Sequence, residues 1–272
     1  MKNIIVPIDF SEQSIAGIEF ALIIAQKFKS DIHLVYAIKD RHLKIFHKKE
    51  EEEEFAKSRL ENLVNKYIYH APKGAVLDFT IKNGKIFKAV NSMVSSPKDS
   101  LIVMSAHGCS GYEHLFVGGN TFKIVSAAKC PVLLVRNMVF PRNLHNIVVP
   151  LDISFESKYK IPVTIELAKA FDCKLHLISV SSSAVTDIRN QLRLSADEVT
   201  SILEKEDITY CEELLLGDNI TDLTIGYAEK TKSDIIVIMS EQIHNKSNIM
   251  GQYAHQMINE SPIPVLIIPS KR

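Results

Sequence analysis

No charge of either sign dominates this sequence. Thirty-two basic residues stand against 32 acidic ones, and the formal net charge is zero. A general nucleic-acid binder normally carries a basic excess, so its lack speaks against that class. Cysteine is scarce as well. Cys109, Cys130, Cys173 and Cys211 lie far apart and form no CxxC pair. A disulfide framework is therefore not expected, and a reducing cytoplasm is the natural compartment. No apolar run reaches the roughly 18 residues that a membrane span needs. The opening run from Met1 to Pro7 is too short for a secretory signal, so none is expected. Two catalytic signatures are missing: there is no G-x4-GK-[ST] phosphate loop and no G-x-S-x-G nucleophile elbow. What remains is a chain of 272 residues, 46% of them hydrophobic, which is enough for two domains of ordinary size.

The first half alternates short apolar runs with segments of helical spacing. Asn3 to Asp9 reads as a strand, and Ser11 or Ser14 as the cap of a helix reaching Phe28. Asp31 to Ile38 is a second strand. Five consecutive glutamates, Glu50 to Glu54, read as a solvated loop or the exposed start of a helix, which Phe55 to Tyr69 would continue. Further strands are expected at Val76–Ile81, Leu101–Ser105 and Val132–Val135, with a helix over Ile86–Val94. Such alternation predicts a parallel sheet with helices on both faces. Ligands of such sheets sit beyond the carboxyl ends of the strands, where the strand order reverses. Asp9 follows one strand end and Gly108 another, so both belong to one edge.

The stretch from Leu101 to Val135 reads as strand, glycine loop, helix and strand, with glycines at 108, 111, 118 and 119. Glycines ahead of a helix let backbone N–H groups approach an anion. They equally make an ordinary surface turn. His107, Cys109 and His114 share this loop, but H-x-C-x4-H fits no common closed zinc site, and no metal site is expected.

The second half repeats the first. Ile147 to Ser154 echoes Ile4 to Ser11 at an offset of 143, and Lys174 to Ile178 echoes Asp31 to Val35 at the same offset. Gly217 echoes Gly84, Gly251 echoes Gly118 and Pro264 echoes Pro131, all at 133. The ten-residue drop falls between the second and third strands, where the acidic run has no evident counterpart. The expected organisation is two tandem doubly wound α/β domains, 1–138 and 144–272. Each would hold a five-stranded, mostly parallel, Rossmann-like sheet.

These residues resemble the universal stress protein family in its tandem form. The resemblance rests on Val6-Pro7-Ile8-Asp9-Phe10-Ser11, on Met104-Ser105-Ala106-His107-Gly108, on the glycine loop and on Cys130-Pro131-Val132-Leu133-Leu134-Val135. It implies a fold like that of the adenine-nucleotide α-hydrolases. It also implies an ATP, ADP or AMP site in the first domain, with Mg²⁺ accompanying the nucleotide. Asp9 would then lie at adenine with Val35 beside it, and Pro7 would belong to the same site. Met104 and His107 would lie near ribose and phosphates, with Gly108, Gly111, Gly118, Gly119 and Asn120 forming the phosphate loop.

The family loop G-x2-G-x9-G-(S/T) is altered here. Six residues separate Gly111 from Gly118, and Gly119 stands where the family has a hydroxyl. Asn120 offers an amide instead. The second domain has no glycine between Met239 and Gly251, and Glu241 adds negative charge there, so it is expected not to bind nucleotide. The first reading is thus a cytoplasmic nucleotide-binding stress or regulatory protein that signals to a protein partner. It is not expected to be an enzyme beyond weak ATP hydrolysis. The two domains would pair as a pseudo-dimer through Val132–Val135 and Val265–Ile268, with a further homodimer open. The alternative is a nucleotide-independent dimerisation or interaction module. A third reading is an enzyme of the α-hydrolase group.

Overall fold

The computed structural model describes residues 1–38, 49–105, 119–136, 143–182, 185–240 and 250–270, with only the backbone of 155–157. The chain divides into two compact domains, Met1–Met138 and Val139–Arg272.

In the first domain β1 (Asn3–Ile8), β2 (Asp31–Ile38), β3 (Leu77–Asn83), β4 (Ser100–Ser105) and β5 (Val132–Val135) alternate with α1 (Glu12–Phe28), α2 (Lys49–Tyr67), α3 (Ile86–Met93) and α4 (Gly119–Ala127). The strand order is β3-β2-β1-β4-β5, and all four pairings are parallel. The order reverses between β1 and β4. Right-handed crossovers therefore place α1 and α2 on one face and α3 and α4 on the other. Ile4, Ile5, Val6, Leu34, Val35, Ile102 and Val103 are fully buried, as near-continuous apolar strands covered on both faces should be.

The second domain repeats the plan. β6 (Asn146–Leu151), β7 (Lys174–Ser181), β8 (Tyr210–Leu216), β9 (Ile235–Met239) and β10 (Val265–Ile268) alternate with α5 (Ile161–Phe171), α6 (Thr186–Lys205), α7 (Ile220–Lys230) and α8 (Gln252–Glu260). Its order is β8-β7-β6-β9-β10, again all parallel. The repeat extends to single dihedrals. Lys29 closes α1 in the left-handed region at φ 54°, and Asp172 closes α5 at φ 58°, 143 residues later.

Two expectations about the acidic run need correction. It forms the first turns of α2, and α6 is the counterpart of that helix in the second domain. The length difference lies in the connections: residues 39–48 against 182–185 before the helix, and 68–76 against 206–209 after it. Nor is the run wholly solvated. Glu52 is 3% exposed, and its Oε1 accepts a hydrogen bond from the Tyr36 hydroxyl at 3.0 Å. Charges at one helix face can be buried when a donor on the sheet meets them, and strand periodicity alone does not reveal that donor.

Candidate functional site

Parallel register brings together residues far apart in sequence. Pro7 and Val35 are direct partners across β1 and β2, as are Ile8 and Tyr36. Both Pro7 and Val35 are buried. Strand β4, on the other side of β1, ends with Met104 (7% exposed) and the half-buried Ser105. The carboxyl ends of β1, β2 and β4 thus share one edge at the reversal of strand order. Helix α1 lies against that edge through Gly17. A Cβ added there would meet Val6 at 3.7 Å and the Met104 Cα at 3.9 Å.

Asp9 leaves β1 at this edge and is exposed. Its Oδ1 accepts from the Ser11 backbone N–H at 3.1 Å and from the Ser11 hydroxyl at 2.5 Å. Ser11 in turn caps α1, accepting from Ser14 N–H at 3.1 Å. An aspartate bonding two residues ahead is an Asx turn, which sets the entry angle of the helix. Asp152 repeats it in the second domain, accepting from Ser154 N–H at 2.7 Å. Asp9 therefore has a structural task irrespective of any ligand.

Between Asp9 and Ser11 stands a residue the motif did not single out. Phe10 adopts φ 64°, an unusual left-handed conformation for a bulky side chain. Its ring stacks on Tyr36 at 4.9 Å, and the Arg59 guanidinium lies 4.7 Å from its centre. Aromatic stacking and a cation over the ring hold Phe10 beside the strand ends. A non-glycine residue with positive φ has no sequence signature when it is phenylalanine.

On the far side of β4, Gly119 and Asn120 form the first turn of α4, and both are exposed. Among the described residues no atom lies within 4 Å of a Cβ placed on Gly119. The first turn of a helix carries N–H groups without intrahelical acceptors, and its partial positive charge favours anions. The described residues of this turn are thus of the type that a phosphate group requires. His107, Gly108, Gly111 and Gly118, and with them Cys109 and His114, lie outside the described residues. So does Glu241. In the second domain Gly251, the equivalent of Gly118, stands at the N-cap of α8. Among the described residues no group of three or more His, Cys, Asp or Glu side chains could hold a metal ion. Nor is any described helix long and apolar enough to cross a membrane.

An open parallel sheet whose order reverses at β1 and β4 defines a Rossmann-like α/β protein. The universal stress protein family profile matches residues 1–136 and again 143–269, and the chain belongs to that family. A universal stress protein from Archaeoglobus fulgidus DSM 4304 superposes with a TM-score of 0.81 at 19% identity, covering 98% of each chain. A functionally unknown protein from Pseudomonas aeruginosa PAO1 gives 0.70 at 16% identity, covering 99% of this chain and 93% of the other. At these identities the likeness speaks for the fold. No curated protein matches the chain.

Proposed function

We propose that the first domain binds ATP, or ADP or AMP, at the carboxyl edge of its sheet. Asp9 would face adenine, with the backbone of Val35 beside it and Pro7 next to it in the strand register. Met104 and His107 would face the sugar and phosphates, and Gly108, Gly111, Gly118, Gly119 and Asn120 would hold the phosphates with their Mg²⁺. The observation that carries this reading is the convergence at one edge. Asp9 directly follows β1, Met104 is the last residue but one of β4, and Val35 pairs with Pro7 near the end of β1, all at the reversal of strand order, and the exposed first turn of α4 follows. We place the protein in the cytoplasm as a stress-response regulator whose occupancy is read by a protein partner. The two domains would form a pseudo-dimer through β5 and β10, since an apolar edge strand needs cover. No activity beyond slow ATP hydrolysis is proposed. The test is titration of ATP by calorimetry into protein stripped of nucleotide, alongside Asp9→Ala and analysis of what co-purifies. Saturable binding weakened by the substitution is expected. Nucleotide-free protein with no binding at millimolar ATP overturns the reading.

One observation favours the second reading, an interaction module without nucleotide. Asp9 makes the same turn as Asp152 in a domain whose loop lacks glycines, so the aspartate persists where no nucleotide site is expected.

A further inference from the structure

Away from the sheet edge just described, the second domain holds a cysteine paired with a base. Cys211 of β8 is the direct register partner of His176 of β7. Its Sγ lies 3.2 Å from His176 Nδ1. The other ring nitrogen, Nε2, lies 3.1 Å from Asn146 Oδ1 on β6. A carbonyl oxygen only accepts, so Nε2 carries the ring proton and Nδ1 turns its lone pair to the thiol. The Tyr227 hydroxyl from α7 reaches the same Nδ1 at 3.2 Å, and its ring meets the imidazole edge-on. Lys174 on β7 and Glu213 on β8 are the charged groups acting on the ring. Burial, reinforced by Lys174 and opposed by Glu213, lowers the histidine pKa and keeps it a neutral base.

The first domain shows what this slot normally holds. His33, the equivalent of His176, pairs through Nδ1 with the carboxylate of Asp78, the equivalent of Cys211. The thiol therefore stands where an acidic partner of histidine stands in the other copy. A carboxylate there can only accept a hydrogen bond from the ring, whereas a thiol against a neutral imidazole is the arrangement of an activated nucleophile. Cys211 also differs from its neighbours. Cys130 is fully buried, with a pKa pushed up to about 12 by that burial, and Cys173 is buried with its thiol donating to the Leu144 carbonyl at 3.3 Å. Among the described cysteines only Cys211 is partly exposed.

We propose that Cys211 is a reactive thiol served by His176 as its base, and that it is a site of oxidation by hydroperoxides. The sulfur attacks one peroxide oxygen, an S–O bond forms and the O–O bond breaks. The thiol proton passes through Nδ1 to the departing oxygen, which leaves as water or an alcohol. The sulfur becomes a sulfenic acid, a two-electron oxidation matched by reduction of the peroxide. Asn146 is the positioning residue that fixes the tautomer.

The test is iodoacetamide labelling of the whole chain, resolved by peptide mass spectrometry at pH 7 and pH 10, with glutathione as the reference thiol. An ordinary thiol is only a few per cent ionised at pH 7. Cys211 should therefore label about tenfold faster than glutathione at pH 7, and His176→Gln should remove that gain while leaving the rate at pH 10 unchanged. After hydrogen peroxide, dimedone should mark Cys211 and spare Cys130 and Cys173. A wild-type rate equal to glutathione at pH 7 overturns the proposal, whether or not the variant folds. Equal slowing of His176→Gln at both pH values also overturns it, because a merely structural histidine would act so. Absence of dimedone adduct at Cys211 overturns the assignment to hydroperoxides.

Discussion

Asp9 and Asp152 make the same turn, yet the layers beside them are filled differently. In the first domain Tyr36 lies under α2 with its hydroxyl on Glu52 and its ring against Phe10. Its equivalent in the second domain, 143 residues on, is Ser179. Phe79, the partner of Leu34 on β3, is replaced by Glu212, the partner of Leu177 on β8. The result is a cavity of about 330 Å³ between α6 and the sheet, lined by Leu177, Ser179, Leu192, Ala196 and Leu214 with Arg189 and Arg193 at its exposed rim. The duplicated backbone persists because strand pairing and helix caps hold it. The interior under one helix has been partly emptied, since such volume changes are tolerated when the frame is secured elsewhere.

The largest effect is expected from making the first domain resemble the second at this layer. Tyr36→Ser removes a buried ring and the donor to Glu52, and should cost the first domain about 3–5 kcal/mol, the range for deletion of a buried aromatic. The reverse change, Ser179→Tyr, should gain about 0.5–2 kcal/mol if the ring enters the cavity. Peptide-resolved hydrogen exchange reads each domain separately. A neutral Tyr36→Ser would mean that the Tyr36 ring and its bond to Glu52 do not support the layer under α2.

Next in size is the change at Gly119, which the resemblance to the universal stress proteins marks as lacking a hydroxyl. Among the described residues nothing lies within reach of a Cβ at this position, so a serine meets no clash there. Under the proposed nucleotide reading, Gly119→Ser should tighten ATP binding by about 1.5–3 kcal/mol, roughly ten- to a hundredfold. Unchanged affinity in a protein that does bind ATP would show that the first turn of α4 does not face the phosphates.

A pH contrast between the domains follows from His176. Its folded-state pKa is lowered, so the unfolded chain binds the proton more readily, and stability rises with pH across the interval between the two values. The second domain should therefore lose stability as pH falls through about 6.5, the ordinary histidine value, towards the lowered one, with no further loss from this group below that. His176→Gln should flatten this dependence. Denaturant midpoints at pH 7.5 and pH 5, followed by exchange in the β7 peptide, check the sign. A second domain whose stability is insensitive to acid would contradict it.

How far the sequence carries depends on where the deciding contact lies. Strand positions, a serine cap at Ser11 or Ser14 and the duplication rest on neighbours a few residues apart or on constant offsets, and these are legible. So is the shared edge of Asp9 and the end of β4, because parallel order follows from alternation, whereas Val35 and Met104 enter only through the family resemblance. The burial of Glu52 is not legible, since its donor comes from another strand. The left-handed Phe10 is hidden because nothing in its side chain favours that conformation. The Cys211–His176 contact spans 35 residues and depends on the register of β7 and β8. Of the candidate site, His107, Gly108, Gly111 and Gly118 fall outside the described residues, so the glycine loop itself still rests on sequence.

The smallest expected effect concerns Gly17, within α1 at the candidate edge. Glycine inside a helix costs about 0.5–1 kcal/mol relative to alanine, because the unfolded chain loses more freedom. It is retained without cost only where a side chain would clash. Here an added Cβ would sit at 3.7–4.0 Å from Val6, Met104 and Ser105, ordinary contact distances. Sterics alone therefore do not require glycine, and Gly17→Ala should stabilise the first domain by about 0.5–1 kcal/mol. The same methyl would lie against the backbone of Met104 and Ser105, the strand end proposed to meet the nucleotide. If ATP affinity is unchanged while stability rises, helix and strand end act as one rigid support. Stability that rises while affinity falls would place the ligand within reach of α1 and identify Gly17 as part of the site.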